Sequence, residues 1–178
     1  MNLLFRVFLF FIFLFPTVSF AQLTSIPSPF QDKKNTIGFA GSYGEQLDKN
    51  AYFYGFSLDY GRRIKDSPFS IGTVLMWDNE IEKKEIIEEN ATFSVAVTVS
   101  YAITKKWSVG TGIGKGVMEN GNPQKEYQWV NGDWSTGIIS SYQFNLGDKV
   151  FSVSASYEYN ITQKETSFSI DLGYILPF

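Results

Sequence analysis

The sequence predicts an all-β protein, an antiparallel, up-and-down, eight-stranded transmembrane β-barrel. Three observations predict it. The segment Phe168 to Phe178 sets Phe168, Ile170, Leu172, Tyr174, Leu176 and Phe178 on one parity and Ser169, Asp171, Gly173, Ile175 and Pro177 on the other. Successive strand side chains point to opposite faces, so this stretch has one greasy wall and one mostly small or polar wall. The same two-residue period recurs along the chain with little spare sequence between repeats. Finally, nothing after the first 21 residues approaches the ~20 apolar residues of a transmembrane helix, so a membrane crossing has to be made by strands.

The N-terminal residues read as an export signal. Met1 to Arg6 carries one positive charge, Val7 to Phe15 is an unbroken apolar run, and Pro16 ends it. Ser19 and Ala21 occupy the two small-residue positions of a signal-peptidase site, placing cleavage before Gln22. The expected organisation is therefore a removed signal at 1–21, a flexible lead-in at 22–34 with Pro27 and Pro29, and a barrel over 35–178. Removing 21 of the 178 residues leaves 157, enough for one domain. The absence of Cys excludes a lipid-anchored cysteine and any disulfide framework. Dropping Arg6 from 15 basic residues leaves 14 against 18 acidic ones, a net charge of −4 with no electrostatic footprint for nucleic acid.

Eight strand-like segments follow in order. The first, about 36–43, sets Ile37, Phe39 and Tyr43 against Gly38, Ala40 and Ser42. The second, about 51–61, sets Tyr52, Tyr54, Phe56, Leu58 and Tyr60 against Phe53, Gly55, Ser57 and Asp59. The third, about 69–77, opposes Phe69, Ile71, Thr73, Leu75 and Trp77 to Ser70, Gly72, Val74 and Met76. The fourth is the most regular, with Phe93, Val95, Val97, Val99 and Tyr101 against Ser94, Ala96, Thr98 and Ser100. In the fifth, Trp107, Val109, Ile113 and Val117 oppose a row of Ser108, Gly110, Gly112, Gly114 and Gly116. The sixth, about 134–144 with a start as early as Tyr127, opposes Trp134, Ile138, Tyr142 and Phe144 to Ser135, Gly137, Ile139 and Ser141. The seventh opposes Phe151, Val153, Ala155, Tyr157 and Tyr159 to Ser152, Ser154, Ser156 and Glu158, and the eighth is the C-terminal segment.

Side-chain size decides which wall faces in. A soluble barrel would turn its bulk inward to fill a core or line a pocket. Here the wall of Gly, Ala, Ser and Thr suits a narrow eight-stranded interior. The large wall must then face lipid. Short connections at 62–68, 104–106 and 145–148 alternate with longer polar ones at 44–50, 78–90, 119–133 and 160–165, the asymmetry of outer-membrane barrels. Aromatics gather near strand ends: Tyr43, Tyr52 and Trp77 at one, Tyr60, Phe69, Tyr101, Trp107, Tyr142, Phe144 and Phe178 at the other. Amphipathic rings settle at the two membrane interfaces.

On this pattern the chain resembles the small eight-stranded outer-membrane barrels of Gram-negative bacteria, the OmpA-like and OmpX-like class. The resemblance covers the mature chain as a pattern, and its sharpest element is the last strand. It implies that Leu172, Tyr174, Leu176 and Phe178 form the signal read by the barrel-assembly machinery. Pro177 departs from the pattern, because it removes a ladder donor and is tolerated only at a strand terminus. The resemblance also implies an outer-membrane location among lipopolysaccharide.

The search for chemistry yields little. Barrel enzymes of this size resemble one another in using a His, and this chain has neither His nor Cys. A serine here would need Lys or Glu tuned by burial as its base, so a non-enzyme is expected. Asp59, Glu158 and Asp171 fall on the inward parity, with Arg63 near the end of the second strand. Buried charges must be paired or hydrogen-bonded, so these four are polar-lumen candidates, read as a satisfied core or as a proton or cation path. The segment 78–90 holds six acids and two lysines, read as a solvated loop without the spacing of a calcium site. Tyr127, Trp129 and Trp134, beside Asn and Gly, are surface-contact candidates for sugars or a protein. Lys115 lies on the lipid parity, where it can reach headgroup phosphates. The alternating glycines at 110–116 lack a following helix and are not a phosphate loop. No cofactor and no metal site is expected.

The functional expectation is a non-catalytic envelope protein acting through surface loops or by stabilising the membrane. Its expected partners are lipopolysaccharide, the assembly machinery during biogenesis and an envelope protein, with no nucleic acid. The alternatives are a lipid-modifying enzyme without His, a narrow channel or hydrophobic-ligand conduit, and a subunit of a secretion or assembly complex.

Overall fold

The computed structural model describes residues 34–49, 51–65, 67–82, 90–120 and 128–178. The expected signal at 1–21, all of the lead-in except Lys34, most of the charged loop and Tyr127 lie outside these residues. The strands are β1 Asn35–Gln46, β2 Ala51–Arg63, β3 Phe69–Glu82, β4 Asn90–Ala102, β5 Trp107–Asn120, β6 Gln128–Trp129, β7 Trp134–Leu146, β8 Lys149–Asn160 and β9 Glu165–Pro177. Apart from the two-residue β6, they are the eight strands read from the sequence.

Each long strand pairs antiparallel with two others, in the order β4-β3-β2-β1-β9-β8-β7-β5, and β5 pairs with β4 to close the barrel. Closure leaves no open edge, which matters because unpaired backbone groups in hydrocarbon cost several kcal/mol each. At the terminus-bearing end, Phe178 N donates to Asn35 O at 2.9 Å and Asn35 N to Phe178 O at 3.1 Å. That end also carries the short turns. One is a hairpin in which Gly147, at φ 65°, takes the first central position between Leu146 and Lys149.

The walls follow the predicted parity. Phe39, Leu58, Leu75 and Val95 form a register-linked row facing out. Ala40, Ser57, Met76, Ser94 and Gly116 form the adjacent row facing in. Phe56, Val97 and Leu172 are 61%, 53% and 63% exposed on the outer wall. Among the described residues no large side chain is fully buried, so the barrel has no aliphatic core of the soluble kind. Aromatic contacts bind the outer wall near both ends, as in the stacked Phe56–Trp77 pair at 5.0 Å and the edge-on Phe69–Tyr101 pair at 5.1 Å.

One boundary and one register differ from expectation, while the sixth strand starts where it was read. The long strands run 12 to 14 residues, more than the ~9–11 needed to cross a bilayer. Their far ends therefore stand in water, where the apolar alternation fades and sequence periodicity loses them. β3 thus continues to Glu82, so Asp78 and Glu80 belong to a strand and not to the loop. β5 carries a bulge: Ser94 faces Gly116 but Phe93 faces Met118. The extra residue is Val117, so the alternation assigned from Trp107 shifts there. The sixth long strand begins at Trp134, and β6 pairs separately with Met118 and Glu119.

Candidate functional site

Two polar regions stand apart from the lipid wall: the lumen and the rim at the loop end. In the lumen, β2, β8 and β9 place Asp59, Glu158 and Asp171 on the inward parity, opposite Gly38, Gly137 and Ser42 respectively. The small partners leave room for the carboxylates. The Gly38 position is so close to Asp59 that an added Cβ would sit 2.8 Å from Oδ2. Asp171 Oδ1 accepts from Ser169 Oγ at 3.4 Å, and Ser169 shares a 2.6 Å hydrogen bond with Ser156. Ser154 Oγ donates to Ser141 Oγ at 3.0 Å. These hydroxyls cross from β9 through β8 to β7 and give the lumen its polar filling.

Arg63 does not join this group. It is exposed at the terminus end, and its Nε donates to the Ser67 carbonyl at 3.3 Å in the β2–β3 turn. Asp78 joins instead. It faces inward opposite Gly55 and Thr92 and lies within electrostatic reach of Glu158 and Asp171. Sequence reasoning missed it because the acids after Trp77 resembled a loop. The signal was the continued alternation, with Asn79 and Ile81 holding the outer parity set by Trp77. Glu80, also inward, accepts from Gln46 Nε2 at 3.0 Å. No three acids among the described residues are grouped closely enough to hold a metal ion.

The loop-end rim is joined across four strands by side chains. Asp48 Oδ2 accepts from both the amide and the hydroxyl of Thr166 at 2.6 Å, and Lys49 pairs with Glu165 at 2.9 Å. The Thr166 bonds hold the Asp48 carboxyl below its usual pKa. Further round, Trp134 N donates to Thr162 Oγ1 at 3.1 Å, and Asn160 Nδ2 to Asp133 Oδ2 at 3.3 Å. Lys115 Nζ donates to Asn131 Oδ1 at 2.5 Å and sits 5.1 Å from the Trp134 ring centroid. Trp129, on β6, is 80% exposed. The Lys115 side of the rim therefore joins one indole, one amide and one ammonium, with the exposed Trp129 on the neighbouring β6.

Leu172, Tyr174 and Leu176 lie on the outer parity of β9, whose final residue, Pro177, is opposite Thr36; Phe178 follows it and bonds Asn35 through its backbone.

No protein-family model matches the chain, and no curated protein matches it. Among solved structures, the chain is similar to Neisserial surface protein A, with a TM-score of 0.59 at 12% identity, over 81% of this chain and 96% of that one. It is also similar to a de novo designed transmembrane β-barrel, with a TM-score of 0.52 at 12% identity, over 85% of this chain and 98% of that one. At such identities the likeness speaks to fold: the chain is a closed, antiparallel, eight-stranded transmembrane β-barrel.

Proposed function

We propose that this chain is a non-catalytic integral protein of the outer membrane that acts through its loop-end rim, with lipopolysaccharide as its first partner. The likeness to a bacterial surface barrel supports the location. A chain with neither His nor Cys supports the absence of catalysis. The observation that carries the reading is the 80% exposed Trp129, paired with Met118 of β5, on the same strand end as Lys115, whose ammonium lies over Trp134. Indole faces suit sugar rings, and an ammonium at the headgroup level suits lipid phosphates. The assembly machinery would read Leu172, Tyr174, Leu176 and Phe178 during insertion.

The test is tryptophan emission of the protein in phospholipid vesicles, with and without lipopolysaccharide. The expected result is a blue shift on adding lipopolysaccharide that Trp129→Ala removes and Lys115→Gln weakens. No shift, or a shift that survives both substitutions, contradicts the reading. Turnover of lipid A or phospholipid by the pure protein would favour the enzyme alternative.

The inward carboxylates favour a second reading, a narrow cation or proton path. Planar-bilayer conductance that vanishes on Asp171→Asn supports it. A silent bilayer leaves the lumen as a plugged core.

A further inference from the structure

A second feature lies at the opposite end of the barrel, on the lipid-facing wall of β2 and β3. A groove of about 560 Å³ opens there beside the chain's first strand. Its floor is formed by Tyr60, Ile71 and Thr73 and its polar mouth by Lys34, Arg62 and Lys65, with Arg63 alongside. The floor exists because Thr73 interrupts a bulky row: it faces Tyr60 on one side and Val97 on the other, where a small side chain leaves a notch. Neighbouring contacts fix the mouth. Arg63 N donates to Lys34 O at 2.8 Å, Tyr60 Oη donates to Asn35 Oδ1 at 3.0 Å, and Arg62 lies opposite Ile71 and Asn35.

The charge there is one-sided. Arg62-Arg63-Ile64-Lys65 carries three cations against one following acid, Asp66, and Lys34 adds a fourth cation. No acid is among the described residues that line the groove. An apolar floor running along the barrel wall into a cationic mouth at the membrane surface has the chemistry of one anionic lipid. A guanidinium offers a planar fork to phosphate oxygens, while the acyl chain gains from lying on Tyr60, Ile71 and Thr73.

We propose that this groove binds one anionic glycerophospholipid from the leaflet at the terminus-bearing end, its phosphate held by Arg62, Lys65 and Lys34. The inference rests on the membrane placement proposed above but concerns a different surface and a different leaflet.

Native mass spectrometry of the detergent-released barrel tests it, with phosphatidylglycerol and phosphatidylcholine supplied at equal concentration and inorganic phosphate alone in a separate arm. The expected result is one phosphatidylglycerol retained in preference to phosphatidylcholine, with no retention of phosphate alone. The Arg62→Gln/Lys65→Gln double variant is expected to lose preference by roughly fivefold per cation removed. Thr73→Trp, which fills the floor and leaves the charge unchanged, is expected to displace the lipid too. Lys164→Gln, in the β8–β9 turn at the other end, is expected to leave the preference intact. Equal retention of both lipids overturns the proposal, as does a preference that persists in both groove variants. Retention of phosphate alone would make the site one for a free anion and overturn the lipid assignment. Heat-modifiable gel mobility is read on every sample. A protein that never embeds fails the membrane reading, whereas one that embeds without lipid preference fails only the groove.

Discussion

The two walls of one strand obey different rules. On β4, Val95, Val97 and Val99 face out while Ser94, Ala96 and Thr98 face in, one residue apart along the same backbone. The outer wall tolerates bulk, because lipid chains make room for it. Several of its polar side chains are bonded locally. Thr111 Oγ1 donates to the Gly137 carbonyl at 2.8 Å, Thr136 Oγ1 to the Gly112 carbonyl at 2.9 Å, and the Trp107 indole to Ser140 Oγ at 2.8 Å. The inner wall differs on both counts. It accepts carboxylates and hydroxyls, as in the Ser169–Asp171 bond, and small side chains make up most of it, with Met76 among the few larger ones. The comparison teaches that surrounding solvent, more than strand propensity, wrote this sequence.

The largest expected effect comes from placing charge on the outer wall. Val97→Arg, near the middle of β4, is expected to destabilise the embedded barrel by about 2–4 kcal/mol, read as a lowered urea midpoint in lipid vesicles. An unchanged midpoint would mean that Val97 does not face hydrocarbon. Next is bulk on the inner wall. An added Cβ at Gly112 would sit 2.8 Å from the Val97 carbonyl and 3.0 Å from Thr98 Cγ2. Gly112→Val is therefore expected to cost about 1–3 kcal/mol by overpacking, although the same substitution on the outer wall would be mild. Equal effects at both walls would erase the distinction.

The smallest effect lies at the rim, outside both walls. Asp48→Asn is expected to speed hydrogen exchange at the Thr166 amide and leave the barrel's unfolding unchanged. In the parent protein the depressed pKa of Asp48 sets the sign. Protection of that amide is complete above the ordinary aspartate value of 3.8 and is lost as pH falls through the lower folded-state pKa. Protection that rises on acidification would contradict the hydrogen-bond assignment.

The lipid-spanning part of the fold was legible in the sequence because one wall of each strand is held to apolar bulk. The rim was less so. Beyond the hydrocarbon both faces of a strand meet water, so Asp78 and Glu80 lost the contrast that marks a strand, and Gln46 was taken for loop. The bulge at Val117 was hidden because apolar side chains on both sides of it, Ile113 and Met118, read alike with or without a shift. The lumen acids Asp59, Glu158 and Asp171 were identifiable by parity alone. Arg63 shared their parity but lies beyond the lumen, which alternation cannot report because it carries no height along the barrel. Trp129 and Trp134 were visible as aromatics among amides, but their proximity to Lys115 depends on the pairing of β5 with β6 and β7.

The orientation of the two walls is the claim from which the lipid and lumen assignments descend. Because the chain contains no Cys, single cysteines at positions 96 to 99 can carry spin labels one at a time in reconstituted bilayers. Accessibility to oxygen, which dissolves in hydrocarbon, should alternate: high at 97 and 99, low at 96 and 98. A uniform profile, or high values at 96 and 98, would contradict a barrel whose bulky side chains face lipid.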